Sequence, residues 1–457
     1  MNNNLDKNDL KNYRSVSNLS FLSKVTEKIV LRQLIEYLQN NDLLPKHRSA
    51  YRQSHSTETA LLRVTNDILQ MLDSGNLSIL SLLDLSSAFD TIDHTILLDR
   101  LLYSFGISDV ALSWISSYIS DRSQKVTVKN HESSASIIRY GVPQGSVLGP
   151  LLFVLYTKPI SDITTLHNIP CQQFADDTQL QNSCSYTNIP LSITKVQNCF
   201  SDIKSWMTSN KLKLNDDKSE ILLIHSKFKK LPLSCPQSIL MGKSELTFSS
   251  EARNLGVIFT DTLDLNKHIN NVCRSAYCEI RRISSVRHLL SVDDTKQLVC
   301  SYVLSKLDYC NSLLCNLSKA NINKLQKVQN SAARLIFRIK KYDHITPYLR
   351  ELHWLPIYWR IQFKISLLCF KSFTDPKFPS YISELLDIYH PKRCLRSSSD
   401  NRLLNIPKCN TTFGKRSFSY SAPSTWNALP FTLRHSASES IFKKSLKTYL
   451  FQKAYET

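Results

Sequence analysis

Cys171-Gln-Gln-Phe-Ala-Asp-Asp-Thr-Gln-Leu180 sets two adjacent carboxylates between flanks that alternate like strands, which predicts a hairpin over residues 172–180 with Asp176 and Asp177 at its turn. Neighbouring carboxylates repel each other, and the usual remedies are water, a shared proton or a cation. Upstream, Leu77-Ser-Ile-Leu-Ser-Leu-Leu-Asp-Leu85 is an apolar run too short for a long helix and bounded by Gly75 and a serine pair. It reads as a buried strand that carries Asp84 to its far end. An acid at the end of a buried strand loses hydration unless something positive compensates it. If that strand lies beside the hairpin, Asp84, Asp176 and Asp177 supply three hard oxygen ligands of the kind Mg²⁺ takes. Two such ions can drive an in-line phosphoryl transfer, the chemistry of a polymerase.

Glycine is scarce in the chain, eight in 457 residues, yet three fall in Gly141-Val-Pro-Gln-Gly-Ser-Val-Leu-Gly149. That clustering marks either a tight turn before a helix or a backbone that a ligand must approach closely. Helical periodicity is read over residues 17–40, 58–72, 92–105, 112–119, 146–156 and 196–207, and strands over 124–128, 220–225 and 254–259. From His268 to Lys341 nearly everything is helical, so the fold class is α+β first and all-α after, with a join at 260–268.

The composition agrees with a polyanionic partner. Lys plus Arg number 57 against 38 Asp plus Glu, a net charge of +19. Counting along the sequence, residues 1–260 hold 26 basic and 24 acidic side chains (+2), and 261–457 hold 31 and 14 (+17). Within that basic half, Lys324, Lys327, Ser331, Arg334, Arg338 and Lys341 recur every three or four residues beside an apolar stripe. This amphipathic pattern either keeps a helix soluble or tracks a phosphate backbone. Twelve cysteines include no Cys-x-x-Cys pair and read as reduced thiols, with a zinc site at Cys310 and Cys315 as the lesser alternative. No run suits a membrane span or an export segment, so the chain reads as soluble and intracellular.

Five ordered segments resemble reverse transcriptases of non-LTR retrotransposons (LINEs), most closely the jockey-like group. Asp84-Leu-Ser-Ser-Ala-Phe-Asp-Thr-Ile-Asp-His94 is similar to motif A, Gly141-Val-Pro-Gln-Gly-Ser146 to motif B and Phe174-Ala-Asp-Asp177 to motif C. Asn210-Lys-Leu-Lys-Leu-Asn-Asp-Asp-Lys-Ser-Glu220 and Asn254-Leu-Gly-Val257 resemble motifs D and E. The resemblance implies a right-hand polymerase with helical fingers and a ferredoxin-like palm, followed by a mostly helical basic thumb and C-terminal region. The corresponding boundaries are 1–75 for partial fingers, 76–260 for the palm, 261–345 for the thumb and 346–457 for the C-terminal region.

On the same resemblance, Asp84, Asp176 and Asp177 hold two Mg²⁺ ions, with Mn²⁺ as a substitute, and Lys218 protonates the departing pyrophosphate. Phe89 excludes a 2′-hydroxyl, Gln144 and Gly145 line the nucleotide side, and Arg52 contacts the triphosphate. Leu255, Gly256 and Val257 form the primer grip. The partners implied are an RNA template, a DNA primer and dNTPs, and the location implied is the nucleus or a cytoplasmic ribonucleoprotein. Two departures stand out: Arg48-Ser-Ala-Tyr-Arg52 replaces a glutamine-serine-glycine-phenylalanine-arginine run, and Ser15 replaces a proline after Asn12-Tyr-Arg14. The chain starts at that last segment, so it reads as truncated, without the N-terminal endonuclease of complete elements. A separate endonuclease-bearing protein would then make the nick. The rival reading is a noncatalytic nucleic-acid-binding remnant.

Overall fold

The computed structural model describes residues 16–86, 89–128, 131–233, 235–242, 244–391 and 402–456. The Asn12-Tyr-Arg14 segment, with Ser15, and Ser87-Ala88 of the motif A stretch lie outside the described residues. At its centre is a four-stranded antiparallel sheet in the order Glu220–Ile224, Leu77–Leu83, Asp177–Cys184, Cys171–Phe174. Leu77–Leu83 is apolar nearly throughout because both its faces are buried. Leu77, Ile79 and Leu83 face one hydrophobic core, while Leu80 and the partly buried Leu82 face the other.

The first core fills the space between the sheet and helices Phe21–Asn40, His94–Phe105, Gly149–Tyr156 and Ile189–Ser209. Ser20 caps the Phe21–Asn40 helix by accepting from the Ser23 amide, and Asp93 caps His94–Phe105 by accepting from Ile96. The second core joins the opposite face of the sheet to helix Thr57–Asp73 and to the helices that follow residue 265. Those helices include Asn266–Val286, Lys319–Phe337, Ile357–Thr374, Phe418–Asn427 and Glu439–Tyr455. No helix among the described residues is long and apolar enough to cross a membrane.

Most of the expected elements are present within a few residues. Residues 254–259 differ: Glu251–Asn254 pairs with Val257–Thr260 as a hairpin turning at Leu255 and Gly256, both with positive φ. The expected strand at 124–128 is split into Arg122–Gln124 and Thr127–Val128, each paired with a different segment. Eleven cysteines are described, all free. Cys310 and Cys315 are buried thiols, pushed up to about 12 and about 11 by burial.

Thr57–Asp73 is packed between the sheet and the helices of the all-α part. Its Glu58 is buried and accepts from the Ser312 amide at 3.1 Å and the Ser312 hydroxyl at 2.6 Å, with Lys364 Nζ at 3.3 Å. Removing this carboxylate strands two donors and a cation. Glu58→Ala is expected to destabilise the chain by about 1–3 kcal/mol, measured as a lower denaturant midpoint at unchanged slope.

Candidate active site

Asp84 follows the last residue of the central strand. Leu83 pairs with Thr178, so Asp84 faces Asp177 one step further along the same register. Its main-chain carbonyl accepts from the Asn215 amide at 2.9 Å, and its Oδ2 accepts from Asn215 Nδ2 at 3.2 Å. Lys218 Nζ stands 4.0 Å from the same oxygen and is two-thirds exposed. The Asn215–Ser219 turn thus delivers one neutral donor and one cation to Asp84, and the cation remains free to move into solvent.

Phe174 and Asp177 close the aspartate hairpin around a two-residue turn, Ala175-Asp176. Ala175 has φ +55°, a conformation disfavoured for a residue with a Cβ, so the turn depends on its neighbours to hold it. Burial, then the charges of Asp176 and Asp84, push the Asp177 carboxyl up to about 6. Three carboxylates therefore share one strand end and repel one another. Among the described residues no three His, Cys, Asp or Glu side chains stand close enough to ligate one ion. Asp84 instead takes Asn215 and Lys218 as partners, while the oxygen-only donor set is the type hard divalent cations bind. Asp84, Asp177, Lys218, Arg253 and Leu255 line a cleft of about 180 Å³. A larger cavity of about 540 Å³, between Lys46, Arg63, Lys158 and Gln181, contains none of the three aspartates and so is not the candidate site.

The glycine loop packs against motif A. A Cβ on Gly141 (φ +85°) would fall 2.9 Å from the Phe89 and Asp90 carbonyls, which excludes any side chain there. Val142 donates to the Phe89 carbonyl at 2.8 Å, and the Phe89 ring lies 5.1 Å from that of Phe153. Gln144 Nε2 donates to Asp90 at 2.8 Å, and its carbonyl accepts from the Ser17 amide at 2.8 Å. Gly145, at φ +103°, has a virtual Cβ 3.4 Å from the Ser17 carbonyl. Glu27, buried on the first helix, accepts from the Val147 and Leu148 amides at 2.6 and 3.0 Å. A carboxylate thereby meets the positive end of helix Gly149–Tyr156.

Other expected site residues stand elsewhere. Arg52 donates from Nη1 to the Pro45 and Arg48 carbonyls at 2.9 and 3.4 Å, which ties that corner of its guanidinium to its own loop. Arg48 is the arginine that reaches the aspartate hairpin, donating to the Ala175 carbonyl at 3.0 Å. The turn at Leu255-Gly256, which leads into Val257, is backed by Tyr309, whose hydroxyl donates to the Leu255 carbonyl at 2.6 Å. Nothing in the residues around Tyr309 signalled that contact; it comes from a helical segment 54 positions away.

The basic helix ends earlier than its periodicity implies. It spans Lys319–Phe337, and Arg338 turns left-handed at φ +54°, leaving Lys341 beyond the helix. Arg334 and Arg338 donate to the carbonyls of Asp343 and Arg287, and Lys324 to Asn270 Oδ1. Lys327 remains on the helix, so the cationic stripe of five is not presented as one continuous row.

The profile described as reverse transcriptase (RNA-dependent DNA polymerase) matches residues 5–259. The chain belongs to that family. It is 28% identical over 354 residues to the probable RNA-directed DNA polymerase from transposon BS of Drosophila melanogaster, covering 75% of this chain and 38% of that protein. It is 25% identical over 337 residues to the RNA-directed DNA polymerase from mobile element jockey of the same fly, covering 72% and 36%. The X-element polymerase is 24% identical over 347 residues, covering 74% and 37%. The chain thus spans less than two-fifths of the length of these relatives. Among solved structures, Candida tropicalis telomerase with an RNA fragment matches at TM-score 0.41 and 11% identity, over 94% of this chain and 56% of that one.

The raised Asp177 carboxyl has a measurable consequence. Its pKa is higher folded than the ordinary 3.8, so the folded state binds the extra proton, and that stabilisation is complete below about 3.8 and lost as pH rises through about 6. Without divalent cations, Asp177→Asn is expected to raise the unfolding temperature relative to wild type above about pH 6, the difference closing below about 3.8. Thermal scans against pH would check it.

Proposed function

We propose that this reverse transcriptase chain extends a DNA primer on an RNA template, transferring dNMP from a dNTP to the primer 3′-hydroxyl. The observation that carries this reading is the meeting of Asp84 with the Asp176-Asp177 turn at adjacent strand ends, with Lys218 beside them. Asp84, Asp176 and Asp177, which as they stand do not form a ready-made three-ligand set, would draw together on divalent cations, Mg²⁺ or Mn²⁺, whose chemistry is to activate the attacking hydroxyl and neutralise the pyrophosphate. Lys218 Nζ, exposed and 4.0 Å from Asp84, would be the general acid that serves the departing pyrophosphate.

Sugar selection rests on Phe89. The Val142 amide holds its carbonyl and Phe153 packs beside its ring, which would keep the aromatic edge in place against a 2′-hydroxyl. Gln144, fixed by Asp90 and the Ser17 amide, and Gly145 present the loop's backbone to the nucleotide. Leu255, on the wall of the 180 Å³ cleft and backed by Tyr309, would meet the primer end with Gly256 beside it, while Val257, expected in the same grip, is buried in the second core and anchors the turn from behind. Lys327 on its helix, with Lys324 and Lys341, adds positive charge for the nucleic-acid backbone.

Primer extension on an RNA template with Mg²⁺ and dNTPs tests the reading. RNA-binding, folded protein that yields no product would refute it. Asp176→Asn is expected to cut extension by about a thousandfold, the equivalent of several kcal/mol of transition-state charge stabilisation, with template affinity nearly unchanged. For Phe89→Ala, incorporation of ribonucleotides is expected to rise towards that of deoxynucleotides in single-nucleotide assays; unchanged sugar discrimination would remove Phe89 from this role.

A further inference from the structure

Arg48 is buried to 1% exposure, and among the described residues no carboxylate pairs with it at ion-pair distance. A buried cation without a counter-ion is costly, so its placement calls for a physical reason. Its partners are all neutral. Nη1 donates to Thr157 Oγ1 at 2.7 Å, Gln173 Oε1 at 3.3 Å and the Val154 carbonyl at 3.4 Å. Nη2 donates to the Ala175 carbonyl at 3.0 Å, and the guanidinium lies 5.7 Å from the centre of the Phe153 ring. The main chain around it is pinned as well: Gln173 donates to the His47 carbonyl and Ser49 to the Gln173 carbonyl, each at 2.9 Å.

These contacts bridge three parts of the site. Thr157 and Val154 belong to the end of the motif B helix, Gln173 to the edge strand, and Ala175 to the turn that carries Asp176. Ala175 is the residue in the left-handed conformation, and the Arg48 bond falls on its carbonyl, next to the peptide that orients Asp176. Asp176 is also the one carboxylate whose charge raises the proton affinity of Arg48, so the cation sits beneath an acidic cluster without neutralising it by contact.

We propose that Arg48 is a positioning residue for the polymerase reaction: its guanidinium locks the Ala175-Asp176 turn to the motif B helix and so sets the orientation of the metal-binding carboxylates. The proposal rests on the polymerase reading above. It concerns a residue that touches neither substrate nor metal and acts through the turn.

The test is single-nucleotide incorporation by the full chain, with dNTP and Mg²⁺ varied, well below the unfolding temperature of each variant. Arg48→Met is expected to lower kcat about tenfold or more, while KM for dNTP and the affinity for template–primer stay within about twofold of wild type. Arg48→Lys, which keeps the charge and one donor group, recovers part of the loss. Folded Arg48→Met with the wild-type kcat would overturn the proposal. Should that variant not fold, Thr157→Val removes the 2.7 Å acceptor and carries the same test: a severalfold loss in kcat is expected, and an unchanged kcat overturns. If the wild-type chain extends no primer, the polymerase reading fails on its own, and Mn²⁺ binding followed by electron paramagnetic resonance decides the role of Arg48 separately. Weaker Mn²⁺ binding than wild type by Arg48→Met, or by Thr157→Val should the former not fold, supports it, and equal binding overturns it.

Discussion

Burial of the Leu77–Leu83 strand between two hydrophobic cores is the constraint on which the rest of the molecule depends. Its pairing with Asp177–Cys184 on one side and Glu220–Ile224 on the other satisfies its backbone groups, and its side chains have no solvent face to slip towards. A one-residue shift in register would exchange the side chains offered to the two cores and displace Asp84 from its place opposite Asp177. The position of the first aspartate is therefore a consequence of packing two faces at once. The helices after residue 265 take part in this, because the second core begins on the sheet and runs without a break through Thr57–Asp73 into the C-terminal helices.

Electrostatics work against that packing at the strand ends. Three carboxylates are held where their charges oppose each other, and the strain appears on Asp177, the one pushed up to about 6. The surroundings answer with donors: the Asn215 amide, an exposed Lys218 and, beneath the turn, a buried guanidinium. The first helix contributes in the same manner at a distance, with Glu27 holding the Val147 and Leu148 amides just after the loop whose Val142 amide bonds the Phe89 carbonyl.

Much of this was legible in the sequence because the signals were local. The aspartate hairpin, the buried strand ahead of it and the helix after the glycine loop could each be read from periodicity and punctuation, and all fall within a few residues of the observed bounds. Arg52 and Arg334 show where such reading stops. A guanidinium can serve a ligand or a backbone carbonyl equally well, and the choice depends on which carbonyls are left without donors nearby. Arg338 was read as part of a helical stripe, but it leaves the helix because the chain ends that helix with a left-handed residue and its side chain bonds Arg287. Tyr309 was illegible for a simpler reason: it backs the Leu255 turn from 54 residues away.

The sequence by itself determined the kinds of group present and their local order: the acids, the glycines that allow backbone contact, the aromatic five residues after Asp84, and the switch from mixed to helical structure near residue 260. Those depend on short-range sterics and on hydrophobic period, which act within a window of a few residues. Only the tertiary structure decided which groups face one another. Asp84 meets Asp177 through strand register, Gly141 meets Phe89 through loop packing, and Arg48 rather than Arg52 reaches the aspartate turn because residues 47–49 pair with Gln173 at the sheet edge. Each outcome is set by closing long loops against buried surface and unpaired carbonyls, a balance of terms that no local window of residues contains.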